Sequence, residues 1–259
     1  MLTHQQREEF AATGLLPLPQ SIPAAGALRM ADRIQEYLAS EESVRRNADA
    51  EWKAEHPVGL QPLNRAGTFD AVATGSVPLA LDELWGGDGW HRPHHWGRPL
   101  VTNSVPGAQW DVPTTGWHLD IASDRLGDPP VITVFVILAP LQPYGGGTLI
   151  VSGSHRLLHR YDAEVRQGRY LNRTCRRVLG TRHPWLAELW ANEPDPDIDR
   201  RQRFLQEGAV LDGIPVRVVE LTGEPGDAFL MRADLFHCSA PNGRAEPRMM
   251  LVKSCAPST

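Results

Sequence analysis

The sequence has few cysteines and no long apolar run, and both absences narrow what the chain can be. Cys175, Cys238 and Cys255 are odd in number and follow no spacing pattern, so a disulfide framework is not expected. No apolar run approaches the roughly 20 residues that cross a bilayer. The first residues also lack the basic-then-apolar layout of a signal peptide. These features predict a cytoplasmic protein without disulfides or membrane contact.

Positive charge is also in short supply. The net charge is −5 at pH 7, which argues against a generic binder of nucleic acid or anionic membranes. Hydrophobic residues make up 41% of the chain and charged residues 22%, as is usual for a globular protein. With 259 residues, the chain can bury one sizeable core. We therefore expect a single domain over residues 1–259.

Hydrophobic patterning divides the chain into helical, loop-rich and strand-rich zones. Residues 1–50 predict two helices, over Thr3–Ala12 and Ala24–Arg46, and residues 51–98 predict loops. Six segments then read as strands: Leu100–Val105, Val131–Leu138, Thr148–Val151, Val216–Leu221, Ala228–Met231 and Arg248–Lys253. Many short strands with Gly and Pro turns indicate a mainly β domain with flanking helices. Its core is expected to be a double-stranded β-helix, the jelly roll of cupin-like proteins.

An arginine-rich insertion at residues 156–212 interrupts the strands. Arg156–Glu207 contains eleven arginines against eight acids, and Tyr161–Gln167 and Trp185–Asn192 look helical. One interpretation is a lid whose arginines meet an anionic substrate. The other is a solvated insertion held by its own salt bridges.

A His-x-Asp pair, His118 and Asp120, is the most informative motif, and His237 follows 117 residues after the carboxylate. Residues two apart on an extended chain point to the same side. Two imidazoles and one carboxylate are the ligand set that holds non-haem Fe(II) and leaves one face open. The pair alone is weak evidence, because chance supplies such pairs in a chain of this length.

Arg248 lies eleven residues after His237. A turn between the two segments would pair them as antiparallel strands and bring Arg248 near the metal-facing end. Arginine offers a rigid fork to a carboxylate, which suits the far end of a dicarboxylate co-substrate. Ser239 alternates with His237 on the same strand face and would add a hydroxyl there.

Four stretches together resemble the phytanoyl-CoA dioxygenase-like branch of the Fe(II)/2-oxoglutarate-dependent oxygenases. They are Trp117–Ile121, Gly146–Arg156, Gly226–Leu230, and His237–Asn242 with Arg248. The resemblance implies His118, Asp120 and His237 as iron ligands, Arg248 as the clamp for 2-oxoglutarate, and Ser239 as its hydroxyl partner. It also implies Fe(II), 2-oxoglutarate and dioxygen as cofactor and co-substrates.

Three further residues are candidates for the co-substrate site. In the family that this chain resembles, an aromatic residue at the position of Phe135 often lies beside 2-oxoglutarate. Thr102 and Thr148 are candidate hydroxyl partners, although threonine is common in strands for its shape alone. The implied reaction is hydroxylation of a small molecule with release of succinate and CO₂. A natural-product or amino-acid-like intermediate is the favoured substrate, and an anionic group on it is an option.

Other functions and other metal sites remain open at this point. A cupin-like metalloenzyme without 2-oxoglutarate would give Arg248 a structural role, and a non-catalytic binding module would keep only the pocket. His91, His94 and His95 lie close together, but Pro93 interrupts any helix between them, so loop packing is favoured over metal binding.

Overall fold

The computed structural model describes residues 1–40, 55–87, 89–104, 109–122, 125–168 and 171–258. Within these ranges the strands are β1 Leu15–Leu18, β2 Arg98–Thr102, β3 Ile132–Ile137, β4 Thr148–Ser152, β5 Ala209–Leu211, β6 Ile214–Glu220, β7 Ala228–Arg232, β8 His237–Ser239 and β9 Arg248–Cys255. They form two antiparallel sheets, ordered β1-β7-β3-β9-β2 and β5-β6-β4-β8. This arrangement is the expected cupin-like fold with flanking helices.

Helices flank the sheets at the N-terminus and in the insertion. They span His4–Thr13, Ala24–Leu38, Gln61–Arg65, Ser76–Trp85, Ser154–Arg160, Asp162–Val165, Leu171–Arg182 and Pro184–Leu189, with a 3₁₀ turn at Asp70–Thr74 and a π-helical stretch at Arg201–Glu207. No helix in the described ranges is long and apolar enough to span a membrane. The first helix begins with a capping box at Thr3 and ends at Gly14, whose positive φ of 78° suits glycine.

The core has three layers because each sheet is apolar on both faces. Side chains between the sheets include Phe135, Ile150 and Met250. The outer face of the five-stranded sheet packs against the N-terminal helices. The outer face of the four-stranded sheet packs against the insertion helices. Strand β3 is buried along its whole length, which explains its uninterrupted apolar sequence.

The predicted pairing of the His237 and Arg248 strands was wrong. Strand β8 pairs with β4 in the four-stranded sheet, whereas β9 pairs with β2 and β3 in the other sheet. The segment between them therefore crosses from one sheet to the other instead of forming a hairpin. Arg248 and Ser239 still line one cavity, because both strands contribute to the space between the sheets.

One other prediction was wrong, and a second differs from the structure in its boundary. Residues 61–85 were expected to form loops but contain two helices and a 3₁₀ turn; their prolines lie early in the helices, where proline is tolerated. The helix predicted over Ala24–Arg46 is observed over Ala24–Leu38. The predicted end of this helix, at residues 41–46, lies outside the described residues. So does residue 105, the last residue of the strand predicted over Leu100–Val105.

Candidate metal centre

Three side chains, His118, Asp120 and His237, converge at one place in the fold. Their nitrogen and oxygen ligand atoms all lie within 4.8 Å of one another. Asp120 lies between the two imidazoles: its Oδ1 is 3.5 Å from His118 Nε2 and its Oδ2 is 3.3 Å from His237 Nε2. Among the described residues, no other group of His, Cys, Asp or Glu side chains is arranged to hold a metal ion.

Backbone hydrogen bonds hold the two ligand segments together. The N–H of His118 donates to the carbonyl of His237 at 2.9 Å, and the N–H of His237 donates back at 3.0 Å. The N–H of Asp120 donates to the carbonyl of Ala233 at 3.1 Å. His118 therefore lies in a single bridge and not in a regular strand. The extended backbone still directs His118 and Asp120 to the same side, as their spacing predicted.

Both imidazoles are oriented by a carbonyl two residues earlier in the chain. His118 Nδ1 lies 2.7 Å from the carbonyl oxygen of Gly116, and His237 Nδ1 lies 3.0 Å from that of Leu235. A carbonyl can only accept, so each Nδ1 carries a proton. Nε2 then has a lone pair in the neutral imidazole and carries a second proton in the imidazolium, which can donate to Asp120. Nε2 is the atom that faces Asp120 in both cases, so the arrangement offers two nitrogen ligands and one oxygen ligand.

The charges of the site favour an ionised carboxylate. Hydrogen bonds from His118 and His237 hold the pKa of Asp120 well below its usual range, against the opposing effect of burial. The hydrogen bond with Asp120 in turn raises the pKa of His118. A metal ion at Nε2 would displace a proton from this pair, so metal binding should weaken at acidic pH.

The ligands differ in their exposure to solvent. The side chain of His237 is 5% exposed, whereas those of His118 and Asp120 are 46% and 39% exposed. The centre is therefore closed on the His237 side and open on the side of the His-x-Asp pair. An open side is what a metal site needs in order to admit further ligands.

Arg248 is a buried cation, and two of its three guanidinium nitrogens have no hydrogen-bond partner in the part of the chain that the structure describes. It is 3% exposed, and the two nitrogens are its Nε and Nη1. Burial lowers the pKa of Arg248 to about 10, partly offset by the negative charge of Glu220. A buried guanidinium without hydrogen bonds is costly, so this group is better suited to binding an anion than to holding the fold together.

A cavity of about 350 Å³ adjoins Arg248. Its walls include Ser239 from β8, Leu100 from β2 and His56. A volume of this size is at the small end of ligand pockets in proteins. The predicted combination of Arg248 and Ser239 is therefore present at one cavity, although the two residues reach it from opposite sheets.

The three other predicted co-substrate residues lie on inward-facing positions of the strands that pair with β8 and β9. Thr148 is opposite Ser239 in the β4–β8 register, and Thr102 is opposite Arg248 in the β2–β9 register. Both threonines are buried. Phe135 packs in the core between the sheets and is not among the described residues that line the cavity beside Arg248.

A family model for phytanoyl-CoA dioxygenase matches residues 10–250, which is nearly the whole chain. The chain belongs to the phytanoyl-CoA dioxygenase family. Enzymes of this family are oxidoreductases that use Fe(II), 2-oxoglutarate and dioxygen. A comparison with curated protein sequences finds none that matches.

Solved structures support the fold at low sequence identity. The non-haem α-ketoglutarate-dependent epimerase SnoN from nogalamycin biosynthesis aligns with a TM-score of 0.55 and 16% identity, over 97% of this chain and 81% of SnoN. SnoN in complex with Fe³⁺, α-ketoglutarate and nogalamycin RO aligns with a TM-score of 0.54 and 17% identity, over 98% of this chain and 82% of SnoN. AviO1 from Streptomyces viridochromogenes Tue57 aligns with a TM-score of 0.53 and 17% identity, over 99% of this chain and 96% of AviO1.

This member of the phytanoyl-CoA dioxygenase family carries side chains that fit both the iron and the 2-oxoglutarate that the family uses. His118, Asp120 and His237 supply the ligand set of non-haem iron. The unpartnered nitrogens of Arg248 supply a cation for a carboxylate.

A second cavity, of about 470 Å³, lies beside Asp120 and was not anticipated from the sequence. Its lining includes Thr133, whose Oγ1 is buried without a hydrogen-bond partner among the described residues, together with Arg98 and Lys253. Neither cation makes an ion pair with any described residue. Arg98 also borders the cavity beside Arg248. Arg98 lies opposite Val252 of β9, at an inward-facing position of β2. The sequence alone could not reveal this position, because it depends on how the strands are paired.

The insertion packs on the outer face of the four-stranded sheet, and many of its arginines already have protein partners. Arg182 pairs with Glu164, Arg203 pairs with Glu188, and Arg200 donates to four backbone carbonyls. These contacts agree with the second interpretation, an insertion held by its own salt bridges. The first interpretation, a lid over the active site, stays a prediction. Both helices predicted in the insertion are present but shorter. Leu171–Arg182 is an additional helix that was not predicted, because its many arginines weaken the apolar pattern.

The other histidines do not add to this centre. His155 Nε2 lies 3.1 Å from the carbonyl oxygen of Ala11, and burial lowers its pKa to about 4. His159 Nε2 lies 2.9 Å from Asp234 Oδ2. His91 and His94 are exposed and belong to no metal-binding group among the described residues.

Proposed function

We propose that this oxygenase hydroxylates a C–H bond of a small molecule, with Fe(II) held by His118, Asp120 and His237. The observation that carries the proposal is the combination of a complete ligand set with a buried arginine, two of whose nitrogens lack hydrogen-bond partners among the described residues. Either feature alone fits a structural role, but together they fit a metal ion and a dicarboxylate. When bound, Fe(II) and 2-oxoglutarate supply the oxidation and release succinate and CO₂.

Arg248 is proposed to bind the far carboxylate of 2-oxoglutarate. The planar guanidinium can donate two parallel hydrogen bonds to one carboxylate, which fixes both position and orientation. Ser239 borders the same cavity and would donate its hydroxyl to that carboxylate. Thr148 and Thr102 flank these two residues in the strand registers and complete the polar surroundings. Phe135 packs in the core between the sheets and would support this polar region from its apolar side.

The substrate is proposed to bind in the cavity beside Asp120. That cavity adjoins the exposed side of the ligand pair, so a molecule there would present its C–H bonds to the open side of the metal centre. Arg98 and Lys253 line it, and neither forms an ion pair within the described ranges, which favours a substrate with an anionic group. Thr133 Oγ1 would offer that molecule a buried hydroxyl. SnoN, solved with nogalamycin RO, supports a natural-product intermediate as the first substrate class to test.

The test uses the purified apoprotein under anaerobic conditions. Fe(II) and 2-oxoglutarate are added, and the visible charge-transfer band of the chelate is recorded for the native protein, His118→Ala and His237→Ala. We expect a band in the native protein and none in either variant. Iron binding without a band in the native protein would contradict the proposal and favour the cupin-like alternative.

The reaction outcome needs a separate measurement, because SnoN is described as an epimerase. Once a substrate that the enzyme oxidises is found, turnover with isotopically labelled dioxygen should place one labelled oxygen atom in succinate and one in the product. A product that carries no label and has the mass of the substrate would contradict hydroxylation and point to epimerisation. Absence of succinate with every small molecule tested would favour the non-catalytic binding module.

A further inference from the structure

We propose that Asn172, on the insertion helix Leu171–Arg182, positions the ligand pair His118–Asp120 by holding the peptide groups between them. The side chain of Asn172 binds Leu119 at two points. Its Oδ1 accepts the N–H of Leu119 at 2.6 Å, and its Nδ2 donates to the carbonyl of Leu119 at 3.2 Å. This inference rests on the proposed iron site and extends it to a residue outside the sheets.

The two hydrogen bonds replace those of a missing neighbouring strand. On one side of the extended segment, the backbones of His118 and Asp120 bond to His237 and Ala233. The N–H and carbonyl of Leu119 point the opposite way, because backbone groups alternate along an extended chain. A primary amide carries a donor and an acceptor side by side. Asn172 therefore presents to Leu119 the pair of groups that a strand would present.

The clamp is attached to a firmly packed element. Helix Leu171–Arg182 buries Cys175, Val178 and Leu179 in the apolar cluster on the outer face of the four-stranded sheet. Leu119 is 3% exposed and belongs to the same cluster. Both the side chain and the backbone of Leu119 are thus fixed by the insertion, while the two neighbouring side chains point to the metal centre.

The geometry gives the clamp an effect on metal binding. His118 and Asp120 are half exposed, so side-chain packing does little to hold them. The directions of their Cα–Cβ bonds depend on the backbone dihedrals on either side of Leu119, which the Asn172 amide restrains. Partners that orient metal ligands in this way contribute roughly 10–100-fold to metal affinity in known sites. This also gives the insertion a role that does not require a lid.

The test compares Asn172→Ala, Asn172→Asp and the neighbouring control Arg173→Ala. Arg173 is exposed on the same helix, so its removal tests for a general effect of changing this helix. Dissociation constants for Fe(II) are measured anaerobically in the presence of 2-oxoglutarate, together with the position of the chelate band. We expect Asn172→Ala to weaken Fe(II) binding about 10–100-fold and to shift the band. Arg173→Ala should match the native protein in both measurements.

Asn172→Asp keeps the test decisive if Asn172→Ala does not fold. It retains the acceptor for the Leu119 N–H but turns the donor into an oxygen that repels the Leu119 carbonyl. We expect its Fe(II) affinity to lie between those of the native protein and Asn172→Ala. Native-like Fe(II) affinity and band position in a folded Asn172 variant would overturn the proposal, even if its thermal midpoint is lower, because that pattern describes a purely structural residue.

Hydrogen exchange in the apoprotein separates this inference from the iron assignment. We expect the Leu119 amide to be protected in the native apoprotein and in Arg173→Ala, and to exchange faster in Asn172→Ala. If the native protein forms no chelate with Fe(II) and 2-oxoglutarate, the proposed function fails, whatever the exchange data show. If the native chelate forms and Leu119 exchanges equally in all variants, the iron site stands and the clamp is refuted.

Discussion

The two segments that carry the proposed iron ligands are built in different ways. His237 lies on strand β8, is buried, and faces Ile150 in a regular register. His118 and Asp120 lie on a half-exposed segment with one bridge to the sheet. The sheet thus fixes one side of the site, together with Arg248 on β9. The other side depends on contacts from the insertion, and mutations on the two sides should therefore have different consequences.

The largest effect is expected from Arg248→Leu, on the sheet-held side. Removing one partner of a buried, hydrogen-bonded charge pair costs about 4 kcal/mol, so the affinity for 2-oxoglutarate should fall roughly 1,000-fold. Titration of the anaerobic Fe(II) protein with 2-oxoglutarate measures this. Arg244→Leu is the matched control, because Arg244 is exposed and donates to the carbonyl of Pro143. Unchanged affinity in Arg248→Leu would remove the clamp assignment.

The same substitution should stabilise the apoprotein. Arg248 is buried with two nitrogens that lack partners among the described residues, so leucine there replaces a costly buried charge by hydrocarbon. A higher free energy of unfolding together with lost co-substrate affinity would identify Arg248 as a residue kept for binding. A lower free energy of unfolding would instead indicate that Arg248 supports the fold, as the cupin-like alternative requires.

The next largest effect is expected at the turn that precedes His237. Asp234 is 1% exposed and binds Arg232 and His159, each at 2.9 Å. Asp234→Asn leaves the buried Arg232 without its full partner and should cost about 3 kcal/mol in urea unfolding. Glu164→Gln removes an exposed partner of Arg182 and should cost less than about 1 kcal/mol. Equal losses in the two variants would contradict the distinction between the buried turn and the exposed insertion surface.

Lowering the pH should remove part of the stabilisation by Asp234, with a smaller effect than the Asp234→Asn substitution. Burial tends to raise the pKa of Asp234, but hydrogen bonds from His159 and Arg232 outweigh it and hold the pKa at about 2. A carboxyl with a depressed pKa stabilises the fold fully above its ordinary value near 4 and loses that contribution as the pH falls towards 2. About 2 kcal/mol should disappear over this window. In unfolding free energies measured against pH, Asp234→Asn should lack this component.

The sheet-held side of the site is also the side that could be predicted from sequence. His237 and Ser239 alternate on one short strand, and period-two alternation suffices to place them on one face. The buried strand Ile132–Ile137 was equally visible as an uninterrupted apolar run. The wrong step was the pairing of the His237 and Arg248 segments, because local pattern does not say whether a turn closes a hairpin or crosses between two sheets.

The insertion-held side was less accessible to prediction. The His-x-Asp spacing showed that His118 and Asp120 face the same way, but nothing near them in the sequence indicated what restrains their backbone. Asn172 lies 53 residues from Leu119 in a helix whose many arginines suggested an exposed surface. Its role depends on a tertiary contact between two distant segments, and a single sequence carries no signal for such a contact.

The smallest expected effects distinguish two threonines that the sequence treated alike. Thr102 Oγ1 lies 3.4 Å from His56 Nδ1, so its hydroxyl already has a neighbour in the protein. Thr148 faces Ser239 across the β4–β8 register, and no hydrogen bond of its hydroxyl joins it to another described residue. Thr148→Val should therefore weaken 2-oxoglutarate binding about fivefold, the value of one hydrogen bond of about 1 kcal/mol. Thr102→Val should change the affinity by less than about twofold in the same titration. The reverse order would show that the co-substrate lies against β2, on the side of Thr102, and not beside the β4–β8 pair.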